Sequence, residues 1–409
     1  MDRYPYAQPN RWWSPRPHRG WVRFWRPIRR FQQRRGHRIR QIDVDGLDHV
    51  NRASDAGYGV LITPNHAGHG DCYLLLEALS RLPGPSYIMT AWQVFQMMPR
   101  WQQIAYCQHG CFSINREGRD FRAFRQAVET LAATSHPLVI FPEGEVYHLN
   151  DLVKPFREGT LMIASAAVRQ SGRPVACLPC AIKYFYINDP RPQLLTVIQQ
   201  IERKLGIRAA DNLPLDQRVE RLQLETLAWR EEQYLGQPLD GDPAQRRDQL
   251  IETLLDQLEH RYDLDPRDLP IPERVTQLRQ KLISITADDG HQISLDDVFA
   301  AVQLYSYEFG YVASNPTVER IAETVDKLEE DVLGLTTARI RGTRRGIIRF
   351  GEPLLLEQPA DRKTGLAQTD QLRGRVQHLI DQLQPPSRAA HPVSRPHPQP
   401  SRQPLPTSE

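Results

Sequence analysis

Short apolar runs alternate with amphipathic segments between residues 41 and 186. The apolar runs predict five strands, at 60–63, 86–90, 110–114, 137–141 and 175–186. The intervening segments have the apolar spacing of helices that face a core, at 71–82, 94–104, 120–133 and 160–169. Because strands and helices alternate, this part of the chain is predicted to be an α/β layer fold.

The pattern changes after residue 190. Amphipathic helical spacing recurs through 190–334 with few strand signals, which predicts a large helical insertion. Strand-like spacing returns at 337–355 and a terminal helix is predicted at 367–383, so the α/β domain is expected to comprise 41–187 and 335–383. Residues 384–409 are rich in Pro and Ser and are predicted to be a disordered tail.

Charge is distributed unevenly along the 409 residues. The net charge is +3, yet residues 1–41 contain 12 Arg and one acidic residue, which leaves −8 for the remainder. Four of the seven Trp also lie there. Residues 1–40 therefore form a basic, Trp-rich segment that is expected to differ in role from the rest of the chain.

A helical spacing of apolar side chains appears inside this segment, with Pro27 expected to kink it. An aromatic face beside Arg residues is typical of a helix lying on an anionic membrane surface. A disordered basic arm and a nucleic-acid arm are the alternatives. The membrane-surface helix is preferred over both, because aromatic side chains at helical spacing fit a membrane interface better than phosphate contacts, so no nucleic-acid partner is expected. The apolar face is formed by Trp21, Phe24, Trp25, Ile28 and Phe31.

Composition narrows the location of the protein. No apolar run reaches the length of about 18 residues that a membrane-spanning helix needs. The first residues lack the apolar region of a secretory signal. Five Cys, an odd number, argue against a disulfide scaffold and for a reducing compartment. The expected location is cytoplasmic and peripheral, on the inner face of the membrane.

The first candidate for chemistry is the pair His66 and Asp71, with four residues between them, in a Gly-containing loop between a predicted strand and helix. A carboxylate on one imidazole nitrogen fixes the tautomer, so the other nitrogen can accept a proton from a hydroxyl. Asp71 alone is equally typical of a helix N-cap. With His69 the loop also has the composition of a metal site, but that interpretation leaves the clusters described next without a role.

Three further clusters follow in order. Phe141-Pro142-Glu143-Gly144 comes directly after an apolar run, at the carboxyl end of a strand, where open α/β sheets bind ligands. Arg116 follows the predicted strand that begins at Gly110 and could bind a phosphate through its planar fork. Pro179 lies within an apolar strand. Taken singly, these clusters are equally typical of a turn, a solvated Arg and core packing.

Together and in this order, the four clusters resemble the glycerolipid acyltransferase family, which includes 1-acylglycerol-3-phosphate acyltransferase. The Phe-Pro-Glu-Gly string alone is expected by chance in roughly three of a thousand such chains. Segments 43–46 and 349–353 resemble flanking strands of the family. The resemblance implies a central mixed sheet flanked by helices, interrupted here by the insertion before its last strand.

The resemblance also implies roles for individual residues. His66 would be the general base that deprotonates an acceptor hydroxyl, and Asp71 would orient it. Arg116 would bind the acceptor phosphate, with Glu143 and Gly144 shaping the pocket. Pro179 would help form the acyl-donor side. The acyl thioester of coenzyme A or of acyl carrier protein would be a co-substrate, with no cofactor and no metal.

The implied function is transfer of an acyl group to a lysophospholipid, such as lysophosphatidate, in phospholipid synthesis or remodelling. One departure bears on the acceptor. Many acylglycerolphosphate members follow Phe-Pro-Glu-Gly with Ser or Thr and then Arg, whereas Glu145 and Val146 stand here. Lys154 or Arg157 is the hypothetical replacement for the lost charge. Two alternatives follow, a non-phosphate acceptor and a non-catalytic lipid-binding protein.

Overall fold

The computed structural model describes residues 11–265, 269–285 and 289–384, with the backbone alone for 289–293. In the described residues, eight strands form one mixed sheet. Seven of them follow the order β1-β7-β6-β2-β5-β3-β4, and β8 pairs with the first residues of β6. The strands are β1 Ile39–Asp45, β2 Gly59–Pro64, β3 Tyr87–Ala91, β4 Cys111–Ile114, β5 Leu138–Val139, β6 Val175–Tyr186, β7 Arg344–Phe350 and β8 Leu354–Leu356.

Helices flank this sheet, so the predicted α/β fold with a central mixed sheet is confirmed. Among the described residues the helices before the insertion are α1 Arg19–Arg35, α2 Leu47–Asp55, α3 Asp71–Leu79, α4 Trp92–Met97, α5 Arg100–Gln108, α6 Phe121–Ala133 and α7 Gly159–Ser171. Helix α15, Arg362–Asp381, packs on β6 near the end of the described chain.

Sheet topology explains how the insertion fits into the fold. Strands β6, β2, β5, β3 and β4 are mutually parallel, so helices must cross over between them. The chain leaves the sheet after β6 and returns as β7, which lies antiparallel to β6 and parallel to β1. The insertion therefore connects two neighbouring strands.

The insertion has a hydrophobic core of its own. Leu222, Leu254, Leu278 and Leu328 lie in it, and Tyr147 of the α/β domain packs into the same cluster. The helices of the insertion are α8 Arg191–Leu205, α9 Leu215–Leu235, α10 Pro243–Arg261, α11 Ile271–Ser284, α12 Asp289–Tyr305, α13 Tyr311–Ser314 and α14 Val318–Leu333.

One helix predicted from the sequence is wrong in its extent. The segment 94–104 was expected to be a single helix, but α4 ends at Met97 and α5 starts at Arg100. Met98 has extended backbone angles because the ring of Pro99 disfavours the helical conformation of the residue before it. Helix α1 by contrast continues through Pro27 as one helix.

The Trp-rich segment packs against the α/β domain. Trp13 is buried, stacks on Phe95, and pairs its backbone with Ser113 of β4. In α1 the buried side chains include Arg29, whose Nη2 lies 2.8 Å from Glu77 Oε2 in α3. Arg30 contacts the other oxygen of Glu77 at 2.9 Å. Arg29 and Arg30 thus attach α1 to the helix that begins with Asp71. Of the tail predicted at 384–409, residues 385–409 lie outside the described residues.

Candidate active site

The loop after β2 is held to β6 by Asn65. Its side-chain Nδ2 donates to the Ile182 carbonyl at 3.0 Å, and its Oδ1 accepts from the Ile182 N–H at 2.7 Å. The Asn65 N–H also donates to the Cys180 carbonyl. Because Asn65 is 1% exposed, these bonds form in a dry environment and fix the start of the loop that carries His66.

His66 and Asp71 meet as predicted. His66 Nδ1 lies 2.8 Å from Asp71 Oδ2, and because a carboxylate only accepts, Nδ1 carries the proton. Asp71 is fully buried and also accepts from the Gly68 N–H and from the Tyr184 hydroxyl at 2.7 Å. His66 Nε2 is therefore left as the basic nitrogen, on a ring whose side chain is 22% exposed.

The Phe-Pro-Glu-Gly segment packs under the same imidazole. The ring of Phe141 stacks on that of His66 with centroids 4.1 Å apart. Glu143 accepts the His66 backbone N–H at 2.7 Å and the Lys154 N–H at 3.2 Å. Burial raises the pKa of Glu143 to about 8, although both N–H bonds oppose that shift. Glu143 thus supports the backbone of the His66 loop.

Gly144 makes the turn that brings Arg157 close. Its φ of +77° lies in the left-handed region that favours glycine, and a Cβ there would lie 2.5 Å from Arg157 Nε. Its carbonyl accepts a hydrogen bond from Arg116 Nη1. Arg116 therefore contacts the residue that follows Glu143, and Glu143 in turn bonds the backbone of the His66 loop.

Glu145 lies among three guanidinium groups. Arg116 Nη1 is 3.3 Å from its Oε2, and Arg279 Nη1 from α11 is 2.9 Å from its Oε1. Burial alone would raise the pKa of Glu145, but Arg116, Arg279 and Arg157 lower it to about 2. Arg279 also lies 3.6 Å from Glu117. Many acylglycerolphosphate members have a hydroxyl side chain at this position. In this protein the position is a buried carboxylate, which pairs with a cation from the insertion.

Pro179, Lys154 and Arg157 are the remaining residues that the sequence analysis named. Pro179 is buried in β6 opposite Thr63, one residue before the Cys180 carbonyl that binds Asn65. Lys154 extends toward the insertion, where Nζ donates to the Tyr305 carbonyl and pairs with Glu308. Of the two hypothetical replacements for the lost charge, Arg157 lies near Glu145 whereas Lys154 does not pair with it.

Three side chains around the site were not predicted from the sequence. Asn65, next to His66, bonds Ile182 from 117 residues away in the sequence. Tyr184 reaches Asp71 from 113 residues away, and Arg279 reaches Glu145 from 134 residues away. Tyr184 could have been found from strand alternation, because it shares a sheet face with Ile182 and Cys180. No local sequence signal indicates the position of Arg279.

A group of exposed apolar side chains lies on α1 and α5. Trp25 joins the two helices by stacking on Trp101 with centroids 6.1 Å apart. Phe24 is 59% exposed and Phe31 63% exposed, so the aromatic face of α1 points outward. We call this group the apolar patch; it consists of Trp21, Phe24, Ile28, Phe31, Trp101 and Ile104. None of the described helices combines the length and the apolar character needed to cross a membrane.

Comparison with known proteins agrees with the geometry. The family model described as Acyltransferase matches residues 41–183, from β1 into β6. The matched segment contains His66, Asp71, Arg116, Glu143 and Pro179. No curated protein matches the chain. Residues 41–183 are therefore a domain of the glycerolipid acyltransferase family, which includes 1-acylglycerol-3-phosphate acyltransferase-like members.

Proposed function

We propose that this protein transfers a fatty acyl group from an acyl thioester to a hydroxyl of a lysophospholipid at an anionic membrane surface. The observation that carries the proposal is the His66–Asp71 pair inside an acyltransferase domain. Coenzyme A or acyl carrier protein would carry the acyl group, and the product would enter phospholipid synthesis or remodelling. The proposed location is the cytoplasmic face of the membrane, as a peripheral protein.

The chemistry follows from the imidazole. His66 Nε2 accepts the proton of the acceptor hydroxyl while that oxygen attacks the thioester carbonyl. The carbon–sulfur bond breaks as the tetrahedral intermediate collapses, and the proton passes to the thiolate that leaves. Asp71 holds the tautomer and stabilises the imidazolium through the 2.8 Å contact. General-base catalysis of this kind contributes about 10²–10⁴ in rate.

The charges around Glu145 bear on the acceptor. Glu145 and Glu117 partly offset the positive charges of Arg116, Arg157 and Arg279. Cations that are already partly neutralised suit the single negative charge of a phosphodiester head group better than the nearly double charge of a phosphomonoester. We therefore favour a lysophospholipid with an esterified phosphate, such as lysophosphatidylglycerol, over lysophosphatidate.

A second candidate is an acceptor without phosphate. The observation in its favour is that Arg116 already has an internal partner, Glu145, at 3.3 Å. A neutral hydroxyl substrate would leave that ion pair intact. If the acceptor has no phosphate, Arg116→Ala should leave turnover nearly unchanged. If the acceptor bears a phosphate, the same substitution should cause a large loss of turnover.

The apolar patch supports binding to a membrane. Its side chains point away from the core, while Arg29 is buried against Glu77. Exposed Arg side chains remain beside the patch for anionic head groups, at roughly 1 kcal/mol each near such a surface. They are Arg19, Arg23, Arg34 and Arg35.

The test is thiol release from acyl-coenzyme A, with each of several acceptors in anionic vesicles. The panel comprises lysophosphatidylglycerol, lysophosphatidate and monoacylglycerol, and it is repeated with acyl carrier protein. We expect acceptor-dependent release that His66→Ala abolishes and that His136→Ala, a matched substitution away from the site, retains. Release that persists in His66→Ala, or none with either donor, would overturn the proposal and favour a non-catalytic lipid-binding protein.

One variant tests the acceptor class within the same assay. Glu145→Ser removes the negative charge beside Arg116 and restores the hydroxyl found in many family members. We expect the ratio of activity on lysophosphatidate to activity on lysophosphatidylglycerol to rise about tenfold, the effect of about 1.4 kcal/mol. An unchanged ratio would show that Glu145 does not set the acceptor charge.

A further inference from the structure

His69 is separated from the catalytic pair although it lies in the same loop. The ring of His69 packs against that of His148 with centroids 5.3 Å apart and planes at 78°. His148 Nε2 lies 3.1 Å from Glu330 Oε1 on α14, the last helix of the insertion. One potential ligand atom from each of the three residues lies within 4.8 Å of the other two. The cluster joins three segments that are distant in the sequence.

The donor set is that of a transition-metal site. Two imidazole nitrogens and one carboxylate oxygen are the ligands that hold zinc where a fourth position remains open. The contact between His148 and Glu330, at 3.1 Å, is close to the separation of two ligands around one zinc ion with bonds of about 2.0–2.1 Å. Glu330 Oε1 also accepts the Ala338 N–H at 2.9 Å, a bond that would fix the orientation of the ligand.

The surroundings can accommodate an ion and a water molecule. A cavity of about 130 Å³ is lined by His69, His148, Glu323 and Asp326, so an open coordination position has space for a water ligand. His148 holds a left-handed backbone with φ of 50°, which is uncommon for a residue other than glycine. Such strain persists where the surrounding structure fixes the side chain in place.

We propose that His69, His148 and Glu330 form a binding site for one divalent ion of the zinc class, between the His66 loop and the helical insertion. The ion would join the loop that begins α3, the segment after Phe-Pro-Glu-Gly, and α14. Its role would be to fix the insertion against the catalytic loop, since Asp71 and not His69 pairs with His66. The proposal goes beyond acyl transfer and does not depend on it.

The test is direct metal binding by the full chain. The purified protein is stripped with a chelator and titrated with Zn²⁺ against a chromogenic chelator, and Co²⁺ is added separately to record its visible spectrum. We expect one zinc ion per chain, a visible Co²⁺ spectrum typical of four-coordinate nitrogen and oxygen ligation, and a higher Tm with Zn²⁺.

Two variants assign the site. His148→Asn retains a residue that tolerates the left-handed backbone, and Glu330→Gln keeps the shape of the side chain. We expect each to weaken zinc binding at least a hundredfold and to abolish the rise in Tm. His136→Asn, a histidine outside the cluster, should bind as the wild type does. Absence of stoichiometric binding in the wild type, or wild-type affinity in both variants, would overturn the proposal.

A measurement on the wild type alone covers the case in which the variants do not fold. X-ray absorption at the zinc edge of the loaded wild-type protein reports the atoms bound to the ion. We expect nitrogen and oxygen ligands at about 2.0–2.1 Å, including two imidazoles. A shell with sulfur at about 2.3 Å, or one without imidazole, would contradict the site.

Discussion

The family-matched segment and the remainder of the chain contribute differently to one site. Residues 41–183 contain His66 and Asp71, the pair to which we assign general-base catalysis. The remainder places side chains around them: Tyr184 bonds Asp71, and Arg279 bonds Glu145. The His66–Asp71 pair can therefore be identified from the matched segment alone, whereas the charges around Glu145 depend also on the insertion.

Burial marks the same division. Asp71 and Glu143 are buried by the sheet and by their own loops, and each accepts backbone N–H groups from within the matched segment. Glu145 is buried too, yet one of its two bonded cations belongs to α11. Removing a partner from a buried charge leaves a large desolvation cost, so the insertion and the Glu145 turn are energetically coupled.

The largest expected effect tests the matched segment. Asp71→Asn keeps the shape of the side chain but presents an amide to His66, so the Nδ1–H tautomer loses its charged acceptor. We expect kcat for acyl transfer to fall about 10²–10⁴-fold with little change in KM. Cys72→Ser, in the next residue of α3, is the control. A loss below tenfold would mean that Asp71 does not support the base.

The contact between His66 and Asp71 was predictable because the two residues are close in the sequence. His66 and the Phe-Pro-Glu-Gly string follow the ends of strands, and Asp71 begins the next helix; strand–helix alternation indicates these positions. The α/β fold and the helical insertion follow from apolar spacing in the same way. The break between α4 and α5 was missed, although Pro99 is a recognised stop signal.

The partners of side chains across the fold were not predictable. Strand alternation gives the sheet face of Tyr184 but not its contact with Asp71, and no local signal places Arg279 beside Glu145. The face of α1 was indicated by the spacing of its aromatic residues, but the docking of Arg29 on Glu77 requires the packed structure. Membrane binding and the role of each site residue stay predictions until they are measured.

The second expected effect tests the coupling through Glu145 by pH. Its pKa is about 2 in the folded protein against 4.5 ordinarily, so the folded state favours the carboxylate. The resulting stability is present above pH 4.5 and is lost as pH falls toward 2. We expect this contribution to reach about 3 kcal/mol. The free energy of unfolding, measured with denaturant, should therefore fall more steeply from pH 7 to pH 3 for the wild type than for Glu145→Gln. Parallel curves would contradict the low pKa.

A third effect tests whether the apolar patch, which spans both regions, binds membranes. Phe24→Gln with Phe31→Gln removes two of its most exposed apolar side chains. Each buried side chain of this size contributes about 1.5–3 kcal/mol, and partial insertion reduces that figure. We expect affinity for anionic vesicles to fall about 10–100-fold in sedimentation. Leu195→Gln with Leu224→Gln, exposed on the insertion, is the matched control. Equal binding by the two double variants would exclude the patch as the docking surface.

The smallest effect sharpens the boundary of the matched segment, because Tyr184 is the first residue beyond it. Tyr184→Phe removes the hydroxyl that donates to Asp71 Oδ1 at 2.7 Å and keeps the ring in the core. Hydrogen bonds to charged groups contribute about 1.5–3 kcal/mol, but Asp71 retains His66 and the Gly68 N–H. We therefore expect kcat to fall only about 3–10-fold. Tyr186→Phe, two residues along the same strand, is the control. A loss as large as that of Asp71→Asn would mean that the hydroxyl is part of the catalytic machinery, so that the chemistry extends beyond the family-matched segment.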